Sequence, residues 1–599
     1  MRLADVKGVA APPSWRAFWL PWGVLVVVVA VLCRLLWLSL FQGEIGGDAI
    51  RYLWISDHVR EGRWLLVPQL FSSPLLPVSV GLLSHLTAEA VTAAQVIGIS
   101  GNTLAVVLAM LWVWRLYPAK PAWAWLTGLG LASNHVWCRL APFALTENLF
   151  YPALMGLLLL ALLIQQEPTW PRGLTFGALW AVLFFSREIG LLSGGAVFAL
   201  LLLSLVGQAQ GLGEGIRKAK PLVLGSLPVL GCCLGLWVFW YYQAFGIISL
   251  GEGHRFYAAY STTFERRQEN NYPGYRRGEF AFFRLRPYEL MEYTRFPPPG
   301  DERYPQAGAG QILREPLTLL RVVGDNFLWS LQAFQKVTLP GFLMLFLILP
   351  LAWLRGRLVL TSPTRLLLAS NGAILGLHFL GPVREARLIG WFFPWLYLAL
   401  AVLVFWLWQR LHAAGGRDWI KKAGSGLLLA LVGFHLLFPQ YFKEVPRRWA
   451  VRLEPHIHAQ AAAFLLETAG PGQVLSSREA EVAYRARAYW IGQPQGTTAE
   501  LVEWLYLGGA TYFLWTDKHP HQGDQDLFWA PEAVIRQSHP ELALVAEFAA
   551  PRNQTYGQRA RLFRFQADPA KLQAYQQQYP WAGTHPRRTW ESSRGQPAP

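Results

Sequence analysis

Apolar runs approaching the roughly 20 residues needed to cross a bilayer recur through the first three quarters of this sequence and stop after about Tyr441. Runs of that length are read as membrane-spanning helices, and they dictate everything else the chain can do. The composition agrees, because 53% of residues are hydrophobic and only 15% charged, a membrane balance rather than that of a water-soluble domain. About eleven spans are expected, near residues 21–41, 91–114, 122–138, 144–164, 174–187, 189–206, 221–245, 327–354, 364–381, 388–409 and 424–442. The expected fold class is therefore a polytopic α-helical membrane domain over 1–442. A small soluble α/β domain is expected over 443–565, and the tail 566–599, rich in Gln, Pro and Arg, is expected to be flexible.

The excess of positive charge, +16, would suit nucleic acid, anionic lipid or the bias of cytoplasmic loops. Its placement decides. Basic residues mark the connections at Arg115 and Lys120, Arg172, Arg217 to Lys220, Arg355 to Arg365, and Arg410 to Lys422. Assigned to the cytoplasmic side together with Arg2, Lys7 and Arg16, they fix a topology by the positive-inside rule. No nucleic-acid partner is expected. An odd number of spans then puts the 443–565 domain outside a cell membrane, along with four polar islands: residues 42–90, the start of the fourth span, Arg187 with Glu188, and Arg384 to Arg387. A long segment over 246–325 joins the seventh and eighth spans. Its arginines and aromatics interleave, which suits planar phosphate or carboxylate binding, or simply a loop lying on lipid headgroups.

The islands carry the candidate chemistry. In GGDAIRYLWISDHVREGRW, Gly46 to Trp64, a helix would put Asp48, Arg51 and Tyr52 on one face and Ile50, Leu53 and Trp54 in an apolar stripe suited to the membrane interface. Asp48 would serve equally as an N-cap. Glu147, in APFALTENLFYP, lies within a turn of hydrocarbon, where an ionisable group is costly unless it faces a cavity or pairs, for instance with Arg139. Arg187 and Glu188, in FFSREIGLL, mark a turn between two spans or a buried pair, of which the turn costs less. Arg384, Glu385 and Arg387 sit beside Trp391 and Trp395, placed to bind a lipid phosphate or to anchor in the interface. The cysteines Cys33, Cys138, Cys232 and Cys233 lie in or beside apolar runs and suggest neither a disulfide framework nor a metal site. His456 and His458 form a pair with no third ligand nearby in sequence, so no metal site is expected.

Taken in order, GDAIRYLWISDHVREGRW, SPLLPVSVGLLSHL, LTENLFYPALMGLLLL, SREIGLL and EARLIGWFFPWLYLALA resemble the successive landmarks of GT-C membrane glycosyltransferases. The branch they look like includes protein O-mannosyltransferases and lipid A aminoarabinose transferases. That resemblance implies transfer of a sugar from a polyprenyl-phosphate donor to an acceptor at the outer membrane face. It implies that Asp48 is the catalytic carboxylate, acting on the acceptor hydroxyl for in-line attack at the anomeric carbon. Glu147, Arg51, Tyr52, Arg187, Glu188, Arg384 and Arg387 are the expected substrate-binding residues. A phosphate leaves without help from a general acid, so one base with nearby cations suffices. Two departures stand out. Relatives carry an acidic residue where this chain has Ala49, which disfavours a divalent-metal version, so no cofactor is expected. Relatives of the aminoarabinose type carry a lysine where this chain has Ser73, leaving arginines to contact phosphate. The rival expectation, a transporter or flippase of a lipid-linked substrate, would need an internal repeat and midplane polar residues, and neither is evident.

Overall fold

The computed structural model describes residues 22–41, 47–68, 73–245, 316–354, 361–380, 386–413, 456–477, 480–491, 498–517, 525–549 and 559–578, with a few single positions besides. The expected long segment up to residue 315 and the eleventh expected span, 424–442, fall outside the described residues apart from isolated positions.

The first ten expected stretches are all helical, and among the described residues five helices are long and apolar enough to cross a membrane. Helix α1 (Val24–Leu40) leads to α2 (Gly47–Arg60) and α3 (Leu75–Thr87). The bundle follows with α4 (Ala90–Leu116), α5 (Pro121–Ser133), α6 (His135–Leu140), α7 (Glu147–Gln166), α8 (Trp170–Ser186), α9 (Ile189–Gly207) and α10 (Leu212–Phe245). After the long segment come α11 (Pro316–Val337), α12 (Leu339–Leu343), α13 (Leu349–Leu354), α14 (Ser362–Phe379), α15 (Ala386–Ile389) and α16 (Phe393–Ala413).

Two expected single spans are each two helices, for a local reason. The stretch expected over 122–138 breaks at Asn134, whose extended backbone ends α5 and whose side chain caps α6 by accepting from Trp137 N at 3.0 Å. The stretch expected over 327–354 breaks at Thr338, likewise extended and likewise an N-cap, just before Pro340.

Close approach of α4 to α7 sets the position of the residues discussed below. Adding a Cβ at Gly98 or Gly101 would drive it into the carbonyl oxygens of Ala141 and Asn148 respectively. Small residues let membrane helices touch backbone to backbone. Asn102, one position on, donates to Asn148, which in turn donates to the carbonyls of Leu140 and Phe143 at 3.2 and 2.9 Å. Gly101→Ala is therefore expected to lower the thermal midpoint in detergent by the equivalent of about 1–3 kcal/mol, since the helices must separate. An unchanged midpoint would show that the contact carries no packing load.

Within α1, Arg34 is fully buried. Its guanidinium donates to the carbonyls of Ala30, Ala132 and Asn102 at 2.8, 3.3 and 3.4 Å, tying α1 to α4 and α5.

The C-terminal part forms a five-stranded mixed sheet in the order β2-β1-β3-β5-β4. Strands β1 (Val474–Ser477), β2 (Tyr489–Ile491) and β3 (Tyr512–Thr516) are parallel. Strand β5 (Arg559–Phe565) pairs antiparallel with β3, and β4 (Leu542–Ala549) pairs antiparallel with β5 at the sheet edge. Helices α17 (Ile457–Ala469), α18 (Glu481–Arg485), α19 (Thr498–Leu507) and α20 (Glu532–Ser538) accompany them, and Trp504, Phe513, Trp515, Phe528 and Phe563 fill the core beside α19. Order continues past residue 565: α21 (Pro569–Gln578) packs Tyr575 on Tyr506, and Lys571 pairs with buried Glu541 at 2.5 Å. The expected flexible tail thus opens with a docked helix.

A second apolar cluster joins the sheet domain to the membrane bundle. It holds Ala49, Ile50 and Leu53 of α2, Leu76 and Val80 of α3, Ala93 of α4, and Ile457, Leu465, Val482 and Leu562 of the sheet domain. This corrects the expectation for α2. Ile50 and Leu53 do not lie in the membrane interface, because protein covers them, and Tyr52, expected on a polar face, is buried too. A helix whose residues are covered on several sides is sandwiched rather than amphipathic in use. Trp54 meets Tyr484 of α18 edge-on, with ring centroids 5.9 Å apart.

Candidate functional site

Three of the four expected polar islands converge on one carboxylate. Glu147 opens α7, where the helix N-terminus favours negative charge. Its side chain is only 3% exposed. Helix α8 ends at Ser186 because Arg187 takes an extended backbone, and α9 starts at Ile189, so the turn reading of this pair holds. That extended residue sends its guanidinium to Glu147, with Nη1 2.6 Å from Oε1. From the third island, Arg387 on α15 brings Nε to 3.9 Å from the same oxygen. The two arginine side chains are about a fifth exposed, at 21% and 22%. The carboxylate lies beside two guanidiniums whose side chains stay partly exposed. Arg139, the partner weighed for Glu147 in the sequence, instead stands over the Phe41 ring, 5.6 Å from its centroid.

The Arg387 segment is fixed from below. Tyr151, one turn after Glu147, donates its hydroxyl to the Arg387 carbonyl. Trp137 donates Nε1 to the Gly390 carbonyl at 3.1 Å and packs on Tyr151 with ring centroids 5.1 Å apart. Neither Tyr151 nor Trp137 was singled out in the sequence. The i, i+4 spacing of Glu147 and Tyr151 was the available signal.

Asp48 is the second residue of α2, and its side chain lies outside what the structure describes. The helix that bears it shares an apolar cluster with Ala144, Phe143 and Leu149, the residues flanking Glu147 in sequence. Arg51 lies over the ring of Tyr52, 5.2 Å from its centroid, and contacts the phenol oxygen at 3.4 Å. Glu188 occupies the N-cap position of α9. Ser73 is described just ahead of α3, whereas Arg384 and Glu385 lie outside the described residues.

No family model matches this sequence, and no curated protein matches it. Among solved structures, the chain is similar to an Archaeoglobus fulgidus oligosaccharyltransferase tethered to an acceptor peptide containing the NVT sequon. The TM-score is 0.50 and the identity 13%, over 83% of this chain and 69% of that one. This chain adopts the GT-C fold. ArnT from Cupriavidus metallidurans, solved in the apo state and bound to undecaprenyl phosphate, also aligns, at 15% identity over 90% of this chain and 97% of that chain, with a TM-score of 0.48. At such identities the likeness is one of fold. The GT-C fold together with the apolar helices makes this an integral membrane protein.

A second buried cluster lies in the sheet domain. The sequence offered His456 and His458 no third ligand, but α18 brings Glu481 to them. One donor atom from each of the three buried side chains lies within 4.8 Å of the others. The missing ligand was hidden because it sits on a separate short helix.

Proposed function

We propose that this protein is an inverting glycosyltransferase. It moves a sugar from a polyprenyl-phosphate donor to an acceptor hydroxyl at the outer face of a cell membrane, with the N-terminus cytoplasmic, about eleven spans and the sheet domain outside. The observation that carries this reading is the pairing of Arg187 and Arg387 over buried Glu147. Two planar guanidiniums gathered on one carboxylate and still partly exposed offer several N–H donors to a multi-oxygen anion such as phosphate. Burial of the carboxylate alone fixes the arginines before any ligand arrives, so little reorganisation is left to the reaction. That an oligosaccharyltransferase shares the fold supports sugar-transfer chemistry by analogy.

In this mechanism the acceptor hydroxyl loses its proton to Asp48 as its oxygen attacks the anomeric carbon. The bond from that carbon to the phosphate oxygen breaks, and the negative charge growing on the phosphate meets Arg187 and Arg387. Glu147 acts through the arginines it positions. Arg51, Tyr52, Glu188 and Arg384 are assigned to binding around this centre. The departing phosphate needs no proton, so the scheme uses a single base and draws on no cofactor.

Reconstitution into liposomes with a panel of polyprenyl-phosphate sugars tests this. The expected result is release of polyprenyl phosphate coupled to glycosylated acceptor, with the opposite anomeric configuration to the donor by NMR. Movement of intact lipid-linked sugar across the bilayer with no bond broken would instead establish a flippase.

A further inference from the structure

The buried cluster in the sheet domain brings together three side chains that could hold a metal ion. His456 caps α17 through Nδ1, which accepts from Ala459 N at 3.3 Å, and this turns its Nε2 toward Glu481, 3.4 Å from Oε1. His458 Nδ1 stands 3.5 Å from the other carboxylate oxygen, Oε2. Charge-assisted hydrogen bonds between such groups run about 2.7–2.9 Å. The observed separations are longer by half an ångström or more. Each runs to a different carboxylate oxygen and is near the edge of about 3.3 Å of a tetrahedron whose centre is about 2.0 Å from each ligand, and one donor atom from each of the three side chains lies within 4.8 Å of the others.

Arg485 reaches Oε1 of Glu481 with Nε at 2.9 Å and Nη2 at 2.8 Å, from a side chain 26% exposed. Its charge offsets that of the carboxylate. Ile45 N donates to the same oxygen at 3.3 Å from two residues ahead of α2.

We propose that His456, His458 and Glu481 bind one divalent transition-metal ion of the zinc type, with a fourth position left for water. Two imidazoles and one carboxylate form a zinc donor set. Magnesium and calcium prefer oxygens throughout, and no cysteine is at hand for softer ions. The ion would join α17 to α18 and, through Glu481 and Ile45, hold the sheet domain against the start of α2. Its role is structural, and the inference stands independently of the sugar-transfer reading.

The test uses the full chain, without a polyhistidine tag, purified in detergent and dialysed against micromolar free zinc. Elemental analysis is expected to give about one zinc per chain, and cobalt exchange to give the visible absorption of a tetrahedral site. His458→Gln is expected to weaken zinc binding by about 100-fold, and Arg485→Gln, which removes a competing cation, to tighten it. Wild-type protein that is folded yet holds less than about a tenth of an equivalent would overturn the proposal. So would undiminished zinc binding by a folded His458→Gln protein. If that variant fails to fold, the wild-type stoichiometry and the Arg485→Gln comparison still decide: a cluster that is only an ion pair binds no zinc in either.

Discussion

Sugar transfer by the Asp48→Asn protein is expected to fall by about 100-fold or more, the usual scale for losing a general base. The substitution keeps the side chain's size and removes its charge, and asparagine is tolerated near a helix start about as well as aspartate. Stability should therefore stay within about 0.5 kcal/mol of wild type. That separation is the purpose of the experiment. Of the two roles considered for Asp48 near the start of α2, base and helix-start residue, only one needs a proton acceptor. If kcat falls while the thermal midpoint and the donor KM hold, the loss is in the chemical step. If transfer continues at the wild-type rate, Asp48 is not the base, which then lies elsewhere.

The second large effect is expected from Arg187. Arg187→Leu leaves Glu147, which is almost wholly buried, with Arg387 as its nearest cation at 3.9 Å. Removing one member of a buried pair costs about 3–5 kcal/mol, because the remaining charge is uncompensated. Transfer should fall as well, since one of the two proposed phosphate contacts is gone. A second protein distinguishes the two losses. Glu147→Gln combined with Arg187→Gln removes both charges and should recover most of the stability. It should leave transfer at the level of Arg187→Leu. Recovery of both together would mean that the pair only holds α7 to the turn between α8 and α9. The readouts are thermal unfolding in detergent and donor KM in liposomes.

What the sequence made legible follows the range of the interactions concerned. The apolar runs showed the bundle because a membrane helix satisfies its own backbone, and the expected starts of the fourth and sixth spans lie within three residues of α7 and α9. The polar islands showed Glu147, Arg187 and Arg387 because charges beside hydrocarbon need a partner, although the sequence offered Arg139 in place of Arg187. The breaks at Asn134 and Thr338 were not anticipated, since each depends on one capping side chain within an otherwise apolar run. Strand β2 has three residues, too few for any alternation to register. The burial of α2 was hidden for a different reason. Its cover comes from the sheet domain, and the Ile45 to Glu481 hydrogen bond spans 436 residues. The same distance in sequence concealed the third member of the His456 and His458 cluster.

Arg34 has a consequence for how the chain is made. A cation inside an apolar helix adds about 2.5–3.5 kcal/mol to the cost of insertion at mid-bilayer, and two of the three carbonyls that receive it lie on other helices. The farther one, of Ala132, is 98 residues downstream. At about 5–20 residues per second it emerges from the ribosome roughly 5–20 seconds after Arg34. During that interval α1 is a poor lipid-facing segment, best kept within the insertion machinery until α4 and α5 arrive. The first described helix is thus secured only once α4 and α5 have been made.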